Sequence, residues 1–167
     1  GGGTAGNEVI SNIVLTPGLV SNNNNFGEVL PAKLSGYVYE DAGNDGVRNS
    51  ETPISGVTVT LTGTNDLNQP VSVTTTTNAA GFYEFANLRP GNYTVTETQP
   101  ATSVEGKDTA GTIGGGTAGN DVISNVVLTP GLNSVENNFG ELPKAAINGF
   151  VYCDDNNDGI KQGTEAG

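Results

Sequence analysis

The sequence repeats itself with a period of 113 residues. Residues 1–28 and 114–141 agree at 23 of 28 positions, and the tetrapeptide at 36–39 (Gly-Tyr-Val-Tyr) returns at 149–152 as Gly-Phe-Val-Tyr. A repeat of this length is the size of a whole domain, whereas solenoid units have roughly 20 to 50 residues. The chain is therefore expected to fold as domain-sized units in a tandem array and not as a solenoid.

The copies also indicate where one unit begins and ends. A complete unit is predicted over 34–141, because the first strand-like run begins there and the repeated segment ends at Glu141. Residues 1–28 are then the C-terminal strands of a preceding repeat, and 147–167 contain the first strand and the following loop of the next. The short segments 29–33 and 142–146, each with one Pro, are predicted to be linkers.

Alternation of apolar and polar residues predicts the strands inside this unit. Between 57 and 62, Val and Leu alternate with Thr, which places the aliphatic side chains on one face and the hydroxyls on the other. Turns rich in Gly, Asn and Pro separate this run from similar ones at 36–40, 71–77, 82–85, 93–98, 122–128 and 133–140. Seven short strands at turn spacing predict an all-β fold with two packed sheets.

The charge balance excludes several functions. The chain has 18 Asp and Glu, 6 Lys and Arg and no His, for a formal net charge of −12. Without His there is no Ser-His-Asp triad and no His-ligated zinc, and the few basic residues argue against nucleic-acid binding. One Cys allows no intrachain disulfide, and no apolar run approaches the roughly 20 residues of a membrane span. Cations are the expected partners, and no membrane insertion is predicted.

Three separated segments resemble one known domain family. The strings GYVYEDAGNDGV at 36–47, ISGVTVTL at 54–61 and NAAGFYEFANLRPGNYTVTETQP at 78–100 are similar to the B-type repeat of bacterial serine-aspartate-repeat adhesins (SdrD B-like). That repeat is related to collagen-adhesin B-type domains. The resemblance implies a transthyretin (prealbumin)-like, Ig-like β-sandwich, an extracellular or cell-surface location, bound calcium, and service as a stalk or spacer in a large surface protein.

An acidic loop at 154–165, the second loop, fits the calcium-loop template. It has oxygen-bearing side chains at positions 1, 3, 5 and 9, Gly at 6 and Glu at 12, and position 7 supplies a backbone carbonyl. A hard cation takes about six to eight oxygens, and the Gly permits the sharp turn that aims the next carbonyl at the ion. The predicted Ca²⁺ ligands are Asp154, Asn156, Asp158, Ile160, Gln162 and Glu165.

The corresponding loop at 41–51, the first loop, fits less well. Position 3 is Gly43, and Glu51 comes one residue early, with Thr52 at position 12. Either this loop is one residue shorter and Glu51 still reaches the ion, or water replaces a ligand and affinity falls. Calcium is predicted here more from the resemblance than from the spacing, with the ligands Asp41, Asp45, Val47, Asn49 and Glu51. Further candidates, which are equally well ordinary turn residues, are Asn78, Asp66 and Asp108.

Glu97 lies in phase with Tyr93 and Val95 and is expected to face the core with them. In the B-type domains that the chain resembles, a Glu at this place promotes a Lys-Asn isopeptide bond. That bond needs a Lys on the first strand, which 36–41 lacks; Lys33 lies just before it. The sequence favours a structural Glu97 that accepts hydrogen bonds from backbone or hydroxyl groups.

Together these features predict a non-catalytic, calcium-binding structural repeat of a secreted bacterial surface protein, with neighbouring repeats as its partners. No host or matrix ligand is predicted. The alternative is a subunit of an extracellular fibre in which neighbouring repeats complete one another by strand addition, because partial repeats expose strand edges. An enzyme ranks third: paired carboxylates can serve a glycosidase, but the recognisable ones belong to the loops.

Overall fold

The described residues of the computed structural model, 4–6, 9–111, 113 and 116–164, form β-strands and no helix, so none of their elements is a membrane-spanning helix. The all-β prediction is confirmed. The predicted count of seven strands is not, because thirteen form and six of them have only two or three residues. The strands are β1 Thr4–Gly6, β2 Val9–Ser11, β3 Ala32–Glu40, β4 Thr52–Pro53, β5 Thr58–Asn65, β6 Pro70–Thr76, β7 Phe82–Leu88, β8 Gly91–Glu97, β9 Ser103–Glu105, β10 Thr117–Gly119, β11 Val122–Leu128, β12 Asn133–Ser134 and β13 Phe139–Pro143.

Two sheets enclose one apolar core. The first has five antiparallel strands in the order β10-β11-β8-β5-β6. The second is built on β3, in the order β12-β3-β13-β9, and β3 also pairs with β7 and β4. Strands β12 and β13 run parallel to β3. A third, two-stranded sheet, β1-β2, stands apart from both.

The core follows the alternation read from the sequence. On β5, Val59 and Leu61 are fully buried while Thr60 between them is only half-buried. On β8, Tyr93, Val95 and Glu97 all face inward. Apolar side chains of both sheets meet in a single cluster, and their removal from water is the main force that holds the sheets together.

Strands extend into both predicted linkers. Ala32 and Lys33 belong to β3, and Ala32 is buried in the core. Residues 142 and 143 belong to β13 because β9 offers them a pairing edge. The linker prediction is therefore wrong at these positions, where core packing and an available strand edge continue the ladder.

The predicted strand at 133–140 is divided into β12 and β13. Between them the Asn137 backbone N–H still donates to the carbonyl oxygen of Ser35, and the Asn137 side chain adds to this pairing. Its Nδ2 donates to the carbonyl oxygen of Ser35 at 3.2 Å, and its Oδ1 accepts the N–H of Gly111 at 3.1 Å. A buried side-chain amide thus satisfies groups that a ladder would otherwise pair.

Residues 149–152, the copy of the aromatic tetrapeptide in β3, form no strand. Val38 is fully buried, whereas its counterpart Val151 is 94% exposed. In β3 the tetrapeptide lies between β7 and β13, which accept and donate its hydrogen bonds. The first strand predicted within 147–167 is absent from the described residues because no neighbouring strand pairs with it.

Candidate metal centres

The first loop leaves the end of β3 and is organised by Asp41. This side chain is buried; its Oδ1 accepts the N–H of Asp45 at 3.2 Å and its Oδ2 accepts the N–H of Gly46 at 2.7 Å. The Asp41 N–H donates to the carbonyl oxygen of Glu141 on β13 at 2.7 Å. The carboxylate is thus fixed at the base of the loop before any cation is considered.

The remaining predicted ligands follow around the turn. Asp45 Oδ1 accepts the N–H of Val47 at 2.8 Å, and the Asn49 N–H donates to the Glu51 carboxylate. The loop's acidic oxygens do not gather as a group of three within metal-binding distance in the described part of the chain.

These acidic side chains surround the hydroxyl of Tyr39, the penultimate residue of β3. Burial, followed by the charges of Asp41, Glu51, Asp45 and Asp108, raises the pKa of Tyr39 to about 12. A neutral, buried phenol therefore lies beside the first loop.

Side chains from distant parts of the sequence hold the first loop in place. Lys107 Nζ donates to the carbonyl oxygen of Asp45 at 3.0 Å, and Thr109 Oγ1 donates to that of Gly46 at 2.8 Å. The Arg48 guanidinium lies 3.6 Å from the centre of the Tyr37 ring. Gly46 has a φ of +75°, and a Cβ there would lie 3.1 Å from atoms of both Lys107 and Thr109, so this position favours Gly.

The second loop has the same internal hydrogen bonds. Asp154 Oδ1 accepts the N–H of Asp158 at 3.1 Å, its Oδ2 accepts the N–H of Gly159 at 2.7 Å, and Asp158 Oδ1 accepts the N–H of Ile160 at 2.8 Å. Each bond is the counterpart of one in the first loop. Local sequence is therefore sufficient to form this turn.

Two further predicted ligands of the second loop contact Asp158. Asn156 Nδ2 and Gln162 Nε2 donate to its Oδ2 at 2.9 and 2.7 Å. The predicted Glu165 lies outside the described residues.

Two of the further candidates have the contacts of structural turn residues. Asp66 pairs with Arg89 through Nε–Oδ1 and Nη2–Oδ2 distances of 2.7 and 2.9 Å, and this hydrogen bonding lowers the pKa of Asp66. Asn78 Oδ1 accepts the N–H groups of Ala80 and Phe82 at 2.8 and 3.1 Å.

A second group of acidic side chains, which the loop spacing did not predict, lies at one end of the sandwich. The carboxylate cluster consists of Glu97, Asp121 and Glu141, and one oxygen of each lies within 4.8 Å of the others. Glu97 ends β8, Asp121 lies in the turn between β10 and β11, and Glu141 is on β13. The Glu97 N–H donates to the Asp121 carbonyl oxygen at 2.9 Å, so strand pairing fixes their proximity.

Burial and mutual repulsion perturb the ionisation of these groups. Burial, followed by the charges of Glu141 and Asp121, raises the pKa of Glu97 to about 9. Burial likewise raises the pKa of Glu141 to about 7 and that of nearby Asp108 to about 8. Neither of the two ion pairs in the described part of the chain includes a member of this cluster.

Glu97 faces the core as predicted, being only 4% exposed, but its predicted role as a hydrogen-bond acceptor is wrong. Neither of its carboxyl oxygens has a hydrogen-bond partner, because the groups around it are themselves carboxyl groups. Lys33, which the sequence placed just before the first strand, lies on β3 itself, and its Nζ is 3.5 Å from Glu84 Oε2 on β7.

One sequence signal could have identified the carboxylate cluster. Asp121 and Glu141 lie in the repeated segment, and the other copy also has an acidic residue at each position: Glu8 corresponds to Asp121, and Glu28 to Glu141. Glu97 and Asp108 are missing from the partial copies, so their approach to these two positions depends on strand order.

Comparison with known proteins identifies the family. The model of the SdrD B-like domain matches residues 32–138. Serine-aspartate repeat-containing protein F of Staphylococcus epidermidis is 35% identical over 143 residues, which are 80% of this chain and 8% of that protein. Serine-aspartate repeat-containing protein E of Staphylococcus aureus is 34% identical over 143 residues, covering 80% of this chain and 12% of that protein. The chain thus spans about a tenth of the length of these relatives.

Two solved structures are similar to this chain at low sequence identity. The major pilin SpaD of Corynebacterium diphtheriae has 19% identity over 72% of this chain and 34% of that chain, with a TM-score of 0.43. The plantain pollen allergen Pla l 1 has 17% identity over 70% of this chain and 98% of that chain, also with a TM-score of 0.43. On the family match and the sequence identity to the serine-aspartate repeat proteins, the chain belongs to the SdrD B-like domain family.

Proposed function

We propose that this domain binds calcium through its first loop and serves as a rigid spacer between neighbouring repeats of a surface protein. As a member of its family the chain is a structural, non-catalytic domain of an extracellular surface protein. To this we add three proposals: the domain binds calcium, it serves as a stalk, and a further repeat lies on each side of it. In this arrangement 34–141 is one complete repeat, 1–28 ends the preceding repeat, and 147–167 begins the next.

The observation that carries the proposal is the shared hydrogen bonding of the two loops. In each, the first Asp accepts two backbone N–H groups, one of them from the Gly at position 6, and so holds the loop closed. A carboxylate oxygen that accepts one N–H retains a lone pair for a cation. Oxygen ligands on a tight, glycine-containing turn are what Ca²⁺ requires.

The first loop is the better placed of the two for a structural ion. Asp41 is tied to β13, and Lys107 and Thr109 tie the loop to the segment before β10. An ion held there links β3, β13 and this segment. A ligand that binds only the folded domain stabilises it by about 2.7 kcal/mol at a hundredfold excess over Kd.

Thermal unfolding of the chain in calcium and in excess chelator tests this proposal. Calcium is expected to raise Tm, and the double variant Asp45→Asn/Glu51→Gln is expected to lose much of the increase. Glu84→Gln, which removes an exposed carboxylate elsewhere, is the control and should respond as the wild type does. An unchanged melting curve in chelator would contradict calcium binding.

A second function, assembly into a fibre by strand addition, is favoured by the hairpin β1–β2. Its register, Thr4 with Ser11 and Gly6 with Val9, matches that of β10–β11, yet its Val9 is 56% exposed. Such a hairpin could complete the sheet of another chain that lacks it. Sedimentation at increasing protein concentration tests this idea: growing oligomers are expected, and a monomer at every concentration contradicts assembly.

A further inference from the structure

We infer that strand β6 is a docking edge for a second copy of this chain. Two β6 strands pair antiparallel about a twofold axis and join the two five-stranded sheets into one continuous sheet. The partner is thus a copy lying alongside, and the contact requires neither a bound calcium ion nor the addition of the hairpin β1–β2.

Strand β6 ends the first sheet and is open to solvent. Among the described residues it pairs with β5 alone. Four of its residues from position 72 onward are exposed: Ser72, Val73, Thr74 and Thr76. No described element therefore covers this edge.

The hydrogen bonds of the β5–β6 ladder show which backbone groups point outward. At its two ends, the Asn65 N–H donates to the carbonyl oxygen of Gln69 at 3.0 Å, and the Thr77 N–H donates to that of Val57 at 2.9 Å. The register between these ends has no shift. Because bonded and non-bonded residues alternate in an antiparallel pair, the even-numbered residues of β6 direct their backbone groups away from β5. These residues are Pro70, Ser72, Thr74 and Thr76.

An exposed valine indicates that a neighbouring strand is missing here. Val73 lies directly opposite Leu61, which is fully buried between the sheets. Residues directly opposite one another share a face of the sheet, so Val73 points to the core side, yet it is 45% exposed. A strand beside β6 would cover it, and the removal of apolar surface from water favours association.

The charge distribution favours a second copy of this chain as the occupant. The formal net charge is −12, so most contacts between two copies would bring like charges together. Residues 57–81, which contain β5 and β6, have one charged side chain, Asp66, and it is paired with Arg89. Two copies can therefore approach along β6 without strong repulsion.

Other edges of the sheets have the features that prevent such pairing. Strand β9 has three residues, one of which is Glu105, and β10 also has three. Short strands, charges and internal Pro residues are the usual protection of an edge. Strand β6 has seven residues and no charge, and its Pro is the first residue. It is thus a long edge without this protection.

The sequence of β6 allows a self-complementary register. With Val73 on the twofold axis, opposite Val73 of the second copy, Ser72 lies opposite Thr74 and Pro70 opposite Thr76. Even-numbered residues then meet even-numbered ones, so the outward N–H and C=O groups pair and only Pro70 lacks a donor. The two Val73 residues form a non-hydrogen-bonded pair, with Cα atoms about 4.5 Å apart.

A single pair of strands makes a weak contact. A stable protein–protein interface buries about 1,200–2,000 Å² in total, which is more than two seven-residue edges provide. The pairing is therefore transient in dilute solution. It becomes significant where many copies are held on one surface, because tethering raises their effective concentration.

Disulfide trapping on the full chain tests the pairing and its register. The exposed Cys153 is first changed to Ser. In this background Val73→Cys is expected to link two copies on mild oxidation, because about 4.5 Å between Cα atoms suits a disulfide. The control is Thr76→Cys, exposed on the same strand, whose counterpart in the second copy lies roughly 20 Å away. Equal rates for both variants, or no link at position 73, would overturn the inference.

Sedimentation gives a second, independent result. The wild type is expected to form dimers as its concentration rises, and Val73→Lys is expected to remain monomeric because two ammonium groups would meet on the axis. Val104→Lys, at a valine of β9 that is 46% exposed, is the matched control and should associate as the wild type does. If Val73→Lys does not fold, Thr74→Pro replaces it, since residue 74 gives no N–H to β5 and Pro is tolerated on an edge strand.

The same measurement separates this contact from fibre assembly through the hairpin β1–β2. Oligomers that grow beyond two copies and are unchanged by Val73→Lys would refute pairing through β6 and leave hairpin addition standing. A dimer that grows no further and is lost in Val73→Lys supports pairing through β6 and contradicts the fibre.

Discussion

The hairpins β1–β2 and β10–β11 have nearly the same sequence and the same register but different surroundings. Strand β11 pairs with β8 and extends to Leu128, which is 2% exposed. Strand β2 ends at Ser11. Leu15, which corresponds to Leu128 in the other copy, lies beyond this strand and is 59% exposed. A hairpin is thus a property of the local sequence, whereas a long, buried strand requires a neighbour that the local sequence does not supply.

The two acidic loops likewise have the same local conformation but different surroundings. Asn44 and Asn157 have φ values of 49° and 56°, and both loop glycines, Gly46 and Gly159, have a φ of 75°. The turn therefore has the same backbone shape in both places. Only the first loop, however, has Lys107 and Thr109 donating to its carbonyl oxygens.

The largest expected difference between the copies is in core packing. Leu128→Ala should destabilise the domain by about 2–5 kcal/mol, because it leaves a cavity between the sheets. The matched change Leu15→Ala should stay within about 0.5 kcal/mol, as expected for an exposed site. Urea unfolding of both variants measures the difference, and equal losses would show that the segment after β2 is packed in solution.

The next largest effect is the pH dependence of the unfolding free energy when the protein is in excess chelator. Folding raises the pKa values of Glu141, Asp108 and Glu97 to about 7, 8 and 9, so the folded state binds more protons than the unfolded state. Their stabilising contribution is complete below the ordinary carboxyl pKa and is lost as the pH rises to about 9. Unfolding free energy should fall over this range.

Substitutions sharpen the pH prediction. The groups that face one another are Glu97, Asp121, Glu141, Glu105 and Asp108. Glu97→Gln should flatten the upper part of the profile, because it removes the group with the highest of the three pKa values. Exposed Glu28, changed to Gln, should leave the profile as it is. A stability that rises with pH in chelator would contradict the raised pKa values.

In the presence of calcium, the two acidic loops should contribute differently to the stability of the domain. At a hundredfold excess of calcium over Kd, Asp45→Asn should remove up to about 2.7 kcal/mol of stabilisation. Asp158→Asn should leave domain unfolding unchanged, because the second loop lies outside the packed sheets. Chemical unfolding with and without calcium measures both, and a similar loss from Asp158→Asn would indicate that the second loop is coupled to the domain.

The smallest effect concerns the support of the first loop. Thr109→Val removes the hydroxyl that donates to Gly46 O at 2.8 Å, and should cost about 1 kcal/mol and weaken calcium binding. Thr76→Val, at an exposed position of β6, is the control and should change neither quantity. Isothermal titration with calcium measures the affinity, and identical affinities in both variants would show that the loop needs no support from the domain.

Much of the first sheet could be predicted from the sequence. The alternation of Val59 and Leu61 with Thr fixed the buried face of β5, and β11 has the predicted bounds. Periodicity was sufficient there because one face is apolar and the other polar. It failed at 133–140, where the buried Asn137 side chain interrupts the strand, since no periodic pattern records which distant backbone groups a side chain will satisfy.

The candidate sites divide in the same way. Calcium-loop spacing depends on consecutive residues, so the sequence determined the turns at Asp41 and Asp154 and the hairpins of both copies. The carboxylate cluster depends on β8, the β10–β11 turn and β13 meeting at one end of the sandwich, so only the tertiary structure could bring Glu97 to Asp121 and Glu141. Local hydrogen bonds follow from neighbouring residues, whereas burial, and with it the raised pKa of Glu97, depends on which strands pack together.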